Sequence, residues 1–597
     1  MRLQPARRGL LLLFVLAAVV PAPAAALRRR FFDTVNAGSA VFIYANQFHD
    51  YVDSTYAHGI RGLRVAGQWR MKCWQCAPDT LDFDTEPAPG VFDFSVYFDR
   101  LDYAITTKGM RAVVSFNLGG KLATDPLSPG SQPVLPGFLG PDDCMMYRQS
   151  AGVDQVFQSG LIRTPRVDRP STRQAMLDFA AAVVQQFRAR YGDNILSYSF
   201  TIAHFGESEY PLASYPYFCD TSPDAAAGFR VWLQAHYGTP QAVAAAWGHS
   251  PPFTSFAQIQ ILDGKASPAL GQAPPAYLDF MAYREYALAS FLHQVRDAVH
   301  AEGGLVMAQF GSVWDVASST RGTHGFGPMV EGFDLVVVDD APTYDHLYSM
   351  DYTRTNAGGV PFGNEVDAPC NLGCTTGNIT QCCYPFPNQY WDLGLGLAQM
   401  NAQVSQSYGR GAAWVDLANW DNFYQAAYGL YATAIAAAVA QSLAQVTTPS
   451  ATDTQVVSLR QLYVHHHDNN YINQLIGAHT AMGGQNTPIA VEVVHDLEPP
   501  TLTGVESRPD RIGVSLSVAP NPLRGAANVR VTLARRERAT LRVFDAAGRV
   551  VATLAAREFE PGAHTLFFDG TRLPRGIYLV QLETPSGTVS NKLEVLR

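Results

Sequence analysis

With 597 residues, the chain is too long for one ordinary hydrophobic core, and it predicts at least two domains, one of them large enough for a barrel. Hydrophobic residues make up 47% of the chain and charged residues 16%, which excludes extended disorder. The formal net charge of -9 at pH 7, without a basic helix to offset it, excludes nucleic acid as a partner and favours a neutral substrate.

Residues 1–26 have the pattern of a secretory signal peptide. A basic start with Arg2, Arg7 and Arg8 precedes an apolar run over 9–20, and alanines follow at 24–26. A membrane anchor is the alternative, but the run is shorter than the roughly 20 residues that cross a bilayer. We therefore predict cleavage and an exported mature chain.

Residues 27–445 alternate apolar, β-branched runs with helical stretches, the pattern of an α/β fold with a parallel sheet covered by helices. The helices include 173–191 and 277–302, where apolar residues recur at three- and four-residue spacing. Eight units favour a closed (β/α)8 TIM barrel over an open sheet. The eight predicted strands are 41–45, 62–67, 112–117, 196–203, 305–310, 335–339, 360–364 and 412–417.

The remainder of the chain changes character. Residues 446–511 are mixed and end near a Pro-containing linker at 497–500, so we interpret them as a barrel-associated segment. From 512 to 597, apolar residues alternate with polar ones between Gly, Pro and Asp turns, which predicts a small all-β sandwich.

Eight cysteines allow two interpretations. Cys73 and Cys76 form a CxxC pair that could be half of a zinc site, completed by the group at 370–383. Export into an oxidising compartment favours disulfides that fasten long loops instead. The run 465–468 is His-rich, but such runs are more often solvated surface. We predict no metal and no cofactor.

Three glutamates occupy the places where a barrel carries its chemistry. Active sites of TIM barrels lie at the C-terminal ends of the strands, and Glu207 and Glu209 follow the fourth predicted strand while Glu365 ends the seventh. Strands four and seven face each other across the barrel, so their glutamates can converge on one sugar. Two carboxyl groups on opposite sides of a bond are what glycoside hydrolysis needs. A salt bridge to a neighbouring Arg is the alternative role for any one of them.

The barrel sequence resembles glycoside hydrolase family 42, a clan A family that contains many β-galactosidases. Segments 86–116, 228–248, 333–345 and 360–367 are similar to the family's segments in order and spacing. The resemblance implies a retaining β-glycosidase with Glu365 as nucleophile and Glu207 as acid/base. Two positions depart from the family: Gly206 stands where an Asn precedes the acid/base, and Ala341 where a Tyr orients the nucleophile, a role that Tyr344 could take.

A second resemblance concerns the acid alone. Residues 206–216 are similar to the catalytic-acid segment of the family 14 β-amylases, whose barrels are inverting. This also selects Glu207 and leaves Glu209 as the alternative. The missing Asn before Glu207 leaves open a third possibility, a catalytically silent barrel that binds carbohydrate at the cell surface.

Sugar rings stack on aromatic planes and need fixed polar partners for their hydroxyls. The predicted substrate contacts lie at or beyond strand ends: Trp69, Trp314 and Trp420 as platforms, and Asn117, Asp339 and Tyr344 as polar partners. Further candidates are Trp74, Trp414, Gln309 and Asn419. Trp420 resembles the platform Trp of clan A barrels. Arg64 or Arg70 could keep the nucleophile ionised.

The final 86 residues resemble the Ig-like sorting domains of Gram-negative type IX secretion and the related flagellar-hook-capping fold. The strings "VAPNPLRGAANVRVTL" and "LRVFDAAGRVVATL" and the ending "NKLEVLR" carry the resemblance. It implies contact with the secretion machinery, and a secreted or outer-membrane-surface location with possible cell-surface attachment. A carbohydrate-binding module is the alternative, and it would be expected to show a row of exposed aromatic residues.

Overall fold

The computed structural model describes most of the barrel and most of the C-terminal strands. The chain divides into two compact units, Met1–Pro499 and Pro500–Arg597. The described residues are 34–36, 45–57, 60–73, 81–82, 85–123, 141–148, 154–156, 158–159, 162–203, 207–211, 218–261, 274–315, 318–340, 346–367, 403–418, 455–465, 468–482, 489–492, 514–519, 523, 525–533, 536–545, 549–560, 562–571, 573–584 and 587–595. The predicted signal peptide lies outside them.

Eight parallel strands form the barrel of the first unit. They are β1 (Thr34–Asn36), β2 (Gly62–Cys73), β3 (Arg111–Ala123), β4 (Ile195–Thr201), β5 (Met307–Phe310), β6 (Leu335–Asp340), β7 (Phe362–Asp367) and β8 (Trp414–Ala418). Each strand pairs in parallel with the next, and β8 returns to β1. The circle closes between β4 and β5, where Tyr198 pairs with Val306 and its N–H donates to the Leu305 carbonyl at 2.8 Å. The predicted TIM barrel is confirmed.

Helices follow the strands. They are α1 (Ala45–Ala57), α2 (Ser95–Leu101), α3 (Pro170–Tyr191), α4 (Pro223–Tyr237), α5 (Pro240–Trp247), α6 (Pro275–Ala301) and α7 (His346–Asn356), with short turns at Ser318–Arg321 and Phe326–Met329 and a helix at 403–409. Four of them show the start signals expected of their sequences. Pro occupies the first turn of α3, α4, α5 and α6, and the Ser222 and Thr239 hydroxyls cap α4 and α5. Among the described residues, no helix is long and apolar enough to cross a membrane.

Seven of the eight predicted strands are confirmed, with ends shifted by one to several residues. The first predicted strand, 41–45, is wrong at its C-terminal end, because Ala45 begins α1 rather than ending a strand. Positions 41–44 lie outside the described residues. The observed β1 is three residues long and sits between β2 and β8, where Val35 pairs with Leu63 and Leu417.

A plug of apolar side chains closes the barrel interior below the strand ends. It consists of Val113, Leu196, Met307, Leu335, Val337 and Trp414. The Trp414 indole lies across β7, and a Cβ on Gly363 would stand 2.2 Å from it. Glycine at this position therefore lets the ring fill the interior, which makes Trp414 a packing residue rather than the sugar platform considered from the sequence.

The segment after the barrel packs on α7. Its two short strands, Gln455–Ser458 and Ile489–Glu492, pair in parallel, and helices α8 (Leu459–Val464) and α9 (Asn469–Ala481) lie between them. The Asn356 amide donates to the Ile489 carbonyl at 2.8 Å. The buried Asp351 carboxylate pairs with His479 at 3.0 Å. Residues 455–492 are thus held to the barrel by buried polar contacts.

The second unit is a two-sheet β structure. Its strands are β9 (Val514–Ala519), β10 (Ala526–Leu533), β11 (Glu537–Asp545), β12 (Val550–Phe559), β13 (Gly562–Asp569), β14 (Gly576–Thr584) and β15 (Gly587–Val595). They form an antiparallel sheet in the order β9-β10-β13 and another in the order β12-β11-β14-β15. Alternate residues of both sheets, such as Val529, Val531, Leu541 and Val543, share one buried core.

One cysteine departs from the expected disulfides. Cys219 is a fully buried free thiol, and burial raises its pKa well above the ordinary range. Cys144 is also buried. The side chains of the other six cysteines lie outside the described residues.

Candidate active site

Glu365 lies in the hydrogen-bonded part of β7, at the C-terminal end of the barrel. It pairs in register with Asp339 on β6 and Asp416 on β8. Its Oε2 lies 2.8 Å from Nη2 of Arg64, which reaches across from β2, and accepts a hydrogen bond from the Gln309 amide at 3.3 Å. Glu365 is 6% exposed. A cation at this distance favours the ionised carboxylate, which is the form that attacks an anomeric carbon.

Arg64 is the central cation of this cluster. Its Nε also pairs with the carboxylate of Asp416, and the side chain is buried. Burial alone would lower its pKa, but the carboxylates of Asp416, Glu365, Asp339 and Glu207 more than offset this and raise it. The guanidinium is therefore permanently charged. It neutralises part of a site that is otherwise built from acidic groups.

Glu207 lies just beyond the end of β4. Its carbonyl accepts the N–H groups of Ile202 and Ala203, each at 3.0 Å, so the chain folds back onto the strand end. Glu207 is 7% exposed, and within the described part of the chain its Oε2 has no hydrogen-bond partner. Burial, and then the nearby Glu209 carboxylate, raise the pKa of Glu207 to about 8. Its carboxyl group therefore carries a proton at neutral pH.

Glu209, two residues further on, is engaged at both oxygens. Its Oε1 pairs with Nε of Arg321 at 3.0 Å, and its Oε2 accepts the Gly311 N–H at 3.0 Å. Burial raises the pKa of Glu209 to about 7, although Arg321 and the Gly311 amide act in the opposite direction. Both oxygens of Glu209 are thus held by protein groups.

Together these groups place a proton donor and a carboxylate at one end of the barrel. Glu207 and Glu365 interact electrostatically, since the charge of Glu365 contributes to the raised pKa of Glu207. A protonated carboxyl on β4 and an ionised carboxylate on β7 are the two groups that acid-assisted displacement at a glycosidic carbon requires. Within the described ranges, no group of three or more His, Cys, Asp or Glu side chains could hold a metal ion.

Trp69 is not placed to contact a sugar. It is fully buried, its ring stacks on Phe179 of α3 with the centroids 4.6 Å apart, and its indole N–H donates to Glu86 at 2.9 Å. The side chain thus packs the barrel wall against a helix. The predicted platform role is wrong in this structure.

Asn117 and Trp314 are also buried among protein groups. The Asn117 amide donates to the Ala203 carbonyl and accepts the Gly119 N–H at 2.7 Å, so it joins the middle of β3 to the backbone just past β4. The Trp314 ring, 4% exposed, meets Tyr348 of α7 edge-on at 5.4 Å. Of the predicted substrate contacts, two border the glutamate cluster among the described residues: Asp339, which pairs in register with Glu365, and Gln309, whose amide donates to Glu365.

Several predicted residues lie outside the described part of the chain. They are Tyr344, Trp420, Asn419, Trp74 and Ala341, and the side chain of Arg70. Their roles stay predictions.

Two charged residues of the site were not foreseen. Asp416 stands alone in the apolar run of β8, and a lone acid at the end of a barrel strand was an available signal. Arg321 lies in the short helical turn Ser318–Arg321, which no local pattern connects to Glu209.

Comparison with known proteins bears on both units. A β-galactosidase from Arthrobacter sp is 31% identical over 147 residues, which are 23% of this chain and only about one fifth (20%) of that relative. The structure of a β-galactosidase from Halorubrum lacusprofundi matches with a TM-score of 0.53 at 15% identity, over 94% of this chain and 86% of its own. A family 42 β-galactosidase, Gan42B, gives 0.52 at 13% identity, over 95% and 85%.

The barrel has the fold of these β-galactosidases. The catalytic domain of a β-amylase from Paenibacillus polymyxa also matches, with a TM-score of 0.50 at 15% identity over 70% of this chain and 98% of its own. The family 42 resemblance noted in the sequence is thus confirmed at the level of fold, and the β-amylase domain shares that fold. The resemblance of residues 206–216 to the β-amylase acid segment stays a prediction.

Residues 517–595 match the model of the secretion system C-terminal sorting domain. This confirms the predicted sorting domain over the alternative of a carbohydrate-binding module. Phe567, at 70%, is the one large aromatic side chain that is strongly exposed among the described strands, so they show no aromatic row. The chain is exported to the medium or the outer-membrane surface of a Gram-negative bacterium.

Proposed function

We propose that this chain is an exported glycoside hydrolase that cleaves β-linked, galactoside-type bonds in an oligo- or polysaccharide with retention of configuration. One observation carries the proposal: two buried glutamates at the ends of β4 and β7 lie in opposite electrostatic surroundings. Glu365 has the Arg64 guanidinium at 2.8 Å, whereas Glu207 is buried beside a second carboxylate. The 31% identity to part of a β-galactosidase supports the substrate class.

In the first step, a Glu365 oxygen attacks the anomeric carbon as the bond to the leaving oxygen breaks. The Glu207 proton passes to that oxygen, so the leaving group departs as a neutral alcohol and the sugar stays bound to Glu365 as an ester. Arg64 and Gln309 hold the Glu365 carboxylate in place for the attack.

In the second step, the Glu207 carboxylate takes a proton from water, and the resulting oxygen attacks the same carbon. The bond to Glu365 breaks, the sugar leaves with its original configuration, and Glu207 is protonated again. Glu207 is favoured over Glu209 for this role because both oxygens of Glu209 are engaged by Arg321 and Gly311.

The sorting domain supports the rest of the proposal. It would bring the chain to the secretion machinery and release the barrel outside the cell or attach it to the surface, where polymeric sugars are found. Oligo- or polysaccharide outside the cell is therefore the proposed substrate, and the secretion machinery the proposed partner.

A panel of chromogenic aryl glycosides, including the β-galactoside, tests the proposal with wild type, Glu365→Gln and Glu207→Ala. We expect turnover by wild type alone, retention of configuration by NMR of the first product, and rescue of Glu207→Ala by azide with a β-glycosyl azide as product. No activity on any glycoside would favour the silent carbohydrate-binding barrel. An inverted first product would favour the β-amylase-like mechanism.

A further inference from the structure

The segment that carries the acid is fastened to β5. We call residues 207–210 the acid segment. The Ser208 N–H donates to the Gln309 carbonyl, the Gln309 N–H donates to the Ser208 hydroxyl at 3.3 Å, and that hydroxyl donates to the Phe200 carbonyl at 3.2 Å. The residue directly after Glu207 is thus held to β4 and β5 at once.

The far end of the acid segment is held by Arg321. The Tyr210 N–H donates to the Arg321 carbonyl at 3.1 Å, and the Arg321 guanidinium pairs with the Glu209 carboxylate. The other Glu209 oxygen accepts the Gly311 N–H just past β5. Glu209 and Arg321 therefore join the acid segment, β5 and the turn Ser318–Arg321.

The turn that carries Arg321 is itself fixed. Arg284 of α6 is 1% exposed and donates to the carbonyls of Ser319, at 2.9 Å, and Thr320. Its Nε donates to the Cys219 carbonyl at 2.6 Å. A buried arginine on a long helix thus sets the backbone from which Arg321 reaches Glu209.

Gly311 leaves the space that the Arg321 guanidinium occupies. A Cβ at position 311 would stand 2.1 Å from Arg321 Nη1. An alanine would therefore push the guanidinium away from Glu209 without removing either charge.

We propose that Glu209 and Arg321 are a positioning pair for the acid/base, which holds the acid segment against β5 and fixes the charges that face Glu207. This rests on the proposed function, since it assigns a task to residues around Glu207 only if Glu207 is the acid/base. In the sequence, Glu209 lies three residues after Gly206, which stands where the family's Asn precedes the acid.

The electrostatics agree with the geometry. After burial, the Glu209 carboxylate is the largest cause of the raised pKa of Glu207, and Arg321 acts against it. Removing the Glu209 charge removes the repulsion and leaves the Arg321 cation unopposed, and both changes favour the ionised form of Glu207.

The test is the pH profile of kcat/KM for Glu209→Gln with an aryl β-galactoside. We expect the basic limb to move to lower pH by about one unit or more, and the double variant Glu209→Gln/Arg321→Met to move it back towards wild type because the unopposed cation is gone. If the pair had a purely structural role, activity would fall in both variants, but the basic limb would neither move in Glu209→Gln nor move back in the double variant. An unmoved limb in Glu209→Gln overturns the proposal.

Glu86→Gln is the matched control. Glu86 is also a buried glutamate, and both of its oxygens are engaged, by the Trp69 indole at 2.9 Å and the Gly90 N–H at 2.7 Å. It differs from Glu209 in location, because its partner Trp69 packs against Phe179 of α3. We expect it to lower stability and leave the basic limb in place. A limb that moves equally in Glu86→Gln overturns the proposal.

Gly311→Ala keeps the test decisive if Glu209→Gln does not fold. We expect a severalfold loss of kcat with little change in KM, because a displaced guanidinium releases the acid segment while substrate contacts remain. Wild-type kcat in this variant overturns the proposal. Failure of the proposed function is separately visible, since Glu207→Gln would then keep both its activity and its basic limb.

Discussion

Glu365 and Glu207 are the same residue type at the same end of one barrel, and their surroundings differ in two respects. Glu365 lies within a strand whose neighbours β6 and β8 fix its backbone by register, and its carboxylate meets a guanidinium. Glu207 lies past the end of β4 on an irregular segment, and its carboxyl group meets another carboxylate. Burial, and then the neighbouring carboxylate, raise the pKa of Glu207. The difference teaches that two buried glutamates at the same end of a barrel are set apart by the charge of their neighbours.

The largest expected effect is the loss of the ionised member. Glu365→Gln keeps the shape of the side chain but removes the nucleophilic oxygen, so we expect kcat on an aryl β-galactoside to fall by about three orders of magnitude or more. Steady-state kinetics at neutral pH measures it. Near-wild-type turnover would show that Glu365 is not the nucleophile, and its contrast with Glu207 would then have no catalytic meaning.

The next effect concerns Arg64, the cation that distinguishes the surroundings of Glu365 from those of Glu207. Arg64→Met removes the cation that pairs with the buried carboxylates of Glu365 and Asp416, and breaking a buried ion pair in this way costs about 3–5 kcal/mol. Urea unfolding at pH 7 should show the loss as a lower free energy of unfolding.

Arg100→Met is the control for this prediction. Arg100 is equally buried, but its ion-pair partner Asp99 lies 3.9 Å away and is largely exposed to solvent. Its removal should cost less and should leave activity intact. Equal losses in the two variants would mean that the arginine stem, rather than its charge, stabilises the site.

A smaller, pH-dependent effect on stability is expected at Glu207, the protonated glutamate. The folded-state pKa of Glu207, about 8, lies above its ordinary value of 4.5. Its contribution to stability is therefore complete below pH 4.5 and is lost as the pH rises to 8. Glu207→Gln cannot ionise, so its Tm should match wild type at low pH and exceed it by several degrees above pH 8. A Tm difference that does not grow with pH would contradict the raised pKa.

Much of the barrel could be predicted because seven of its strands are locally apolar. The first strand, Thr34–Asn36, could not be predicted, because it is short and polar and is stabilised by pairing with β2 and β8. The sequence pattern placed the first strand at the more apolar run 41–45 instead. Contacts between residues distant in sequence determine whether such a strand forms, and the local sequence pattern carries no information about them.

The site residues show the same limit at the level of side chains. Glu207, Glu365 and Arg64 could be named because strand ends in a barrel are known places for chemistry. Trp69 and Asn117 lie at or just beyond the ends of predicted strands, but the observed strands β2 and β3 continue past them. The Trp69 ring stacks on a helix, and the Asn117 amide donates to a backbone carbonyl. Arg321 reaches Glu209 from a separate turn, and only the fold brings them together.

The smallest expected effect is at Gln309, a neutral residue that contacts both the acid segment and Glu365. Its backbone bonds Ser208 of the acid segment, while its amide donates to Glu365 at a long 3.3 Å. Gln309→Leu keeps the backbone contacts and removes the amide, and a hydrogen bond of this kind contributes about 1 kcal/mol, so kcat/KM should fall about fivefold. An unchanged kcat/KM would mean that the Gln309 amide does not position the Glu365 carboxylate. A loss of a hundredfold or more would show instead that the amide also binds substrate, since its Oε1 has no hydrogen-bond partner among the described residues.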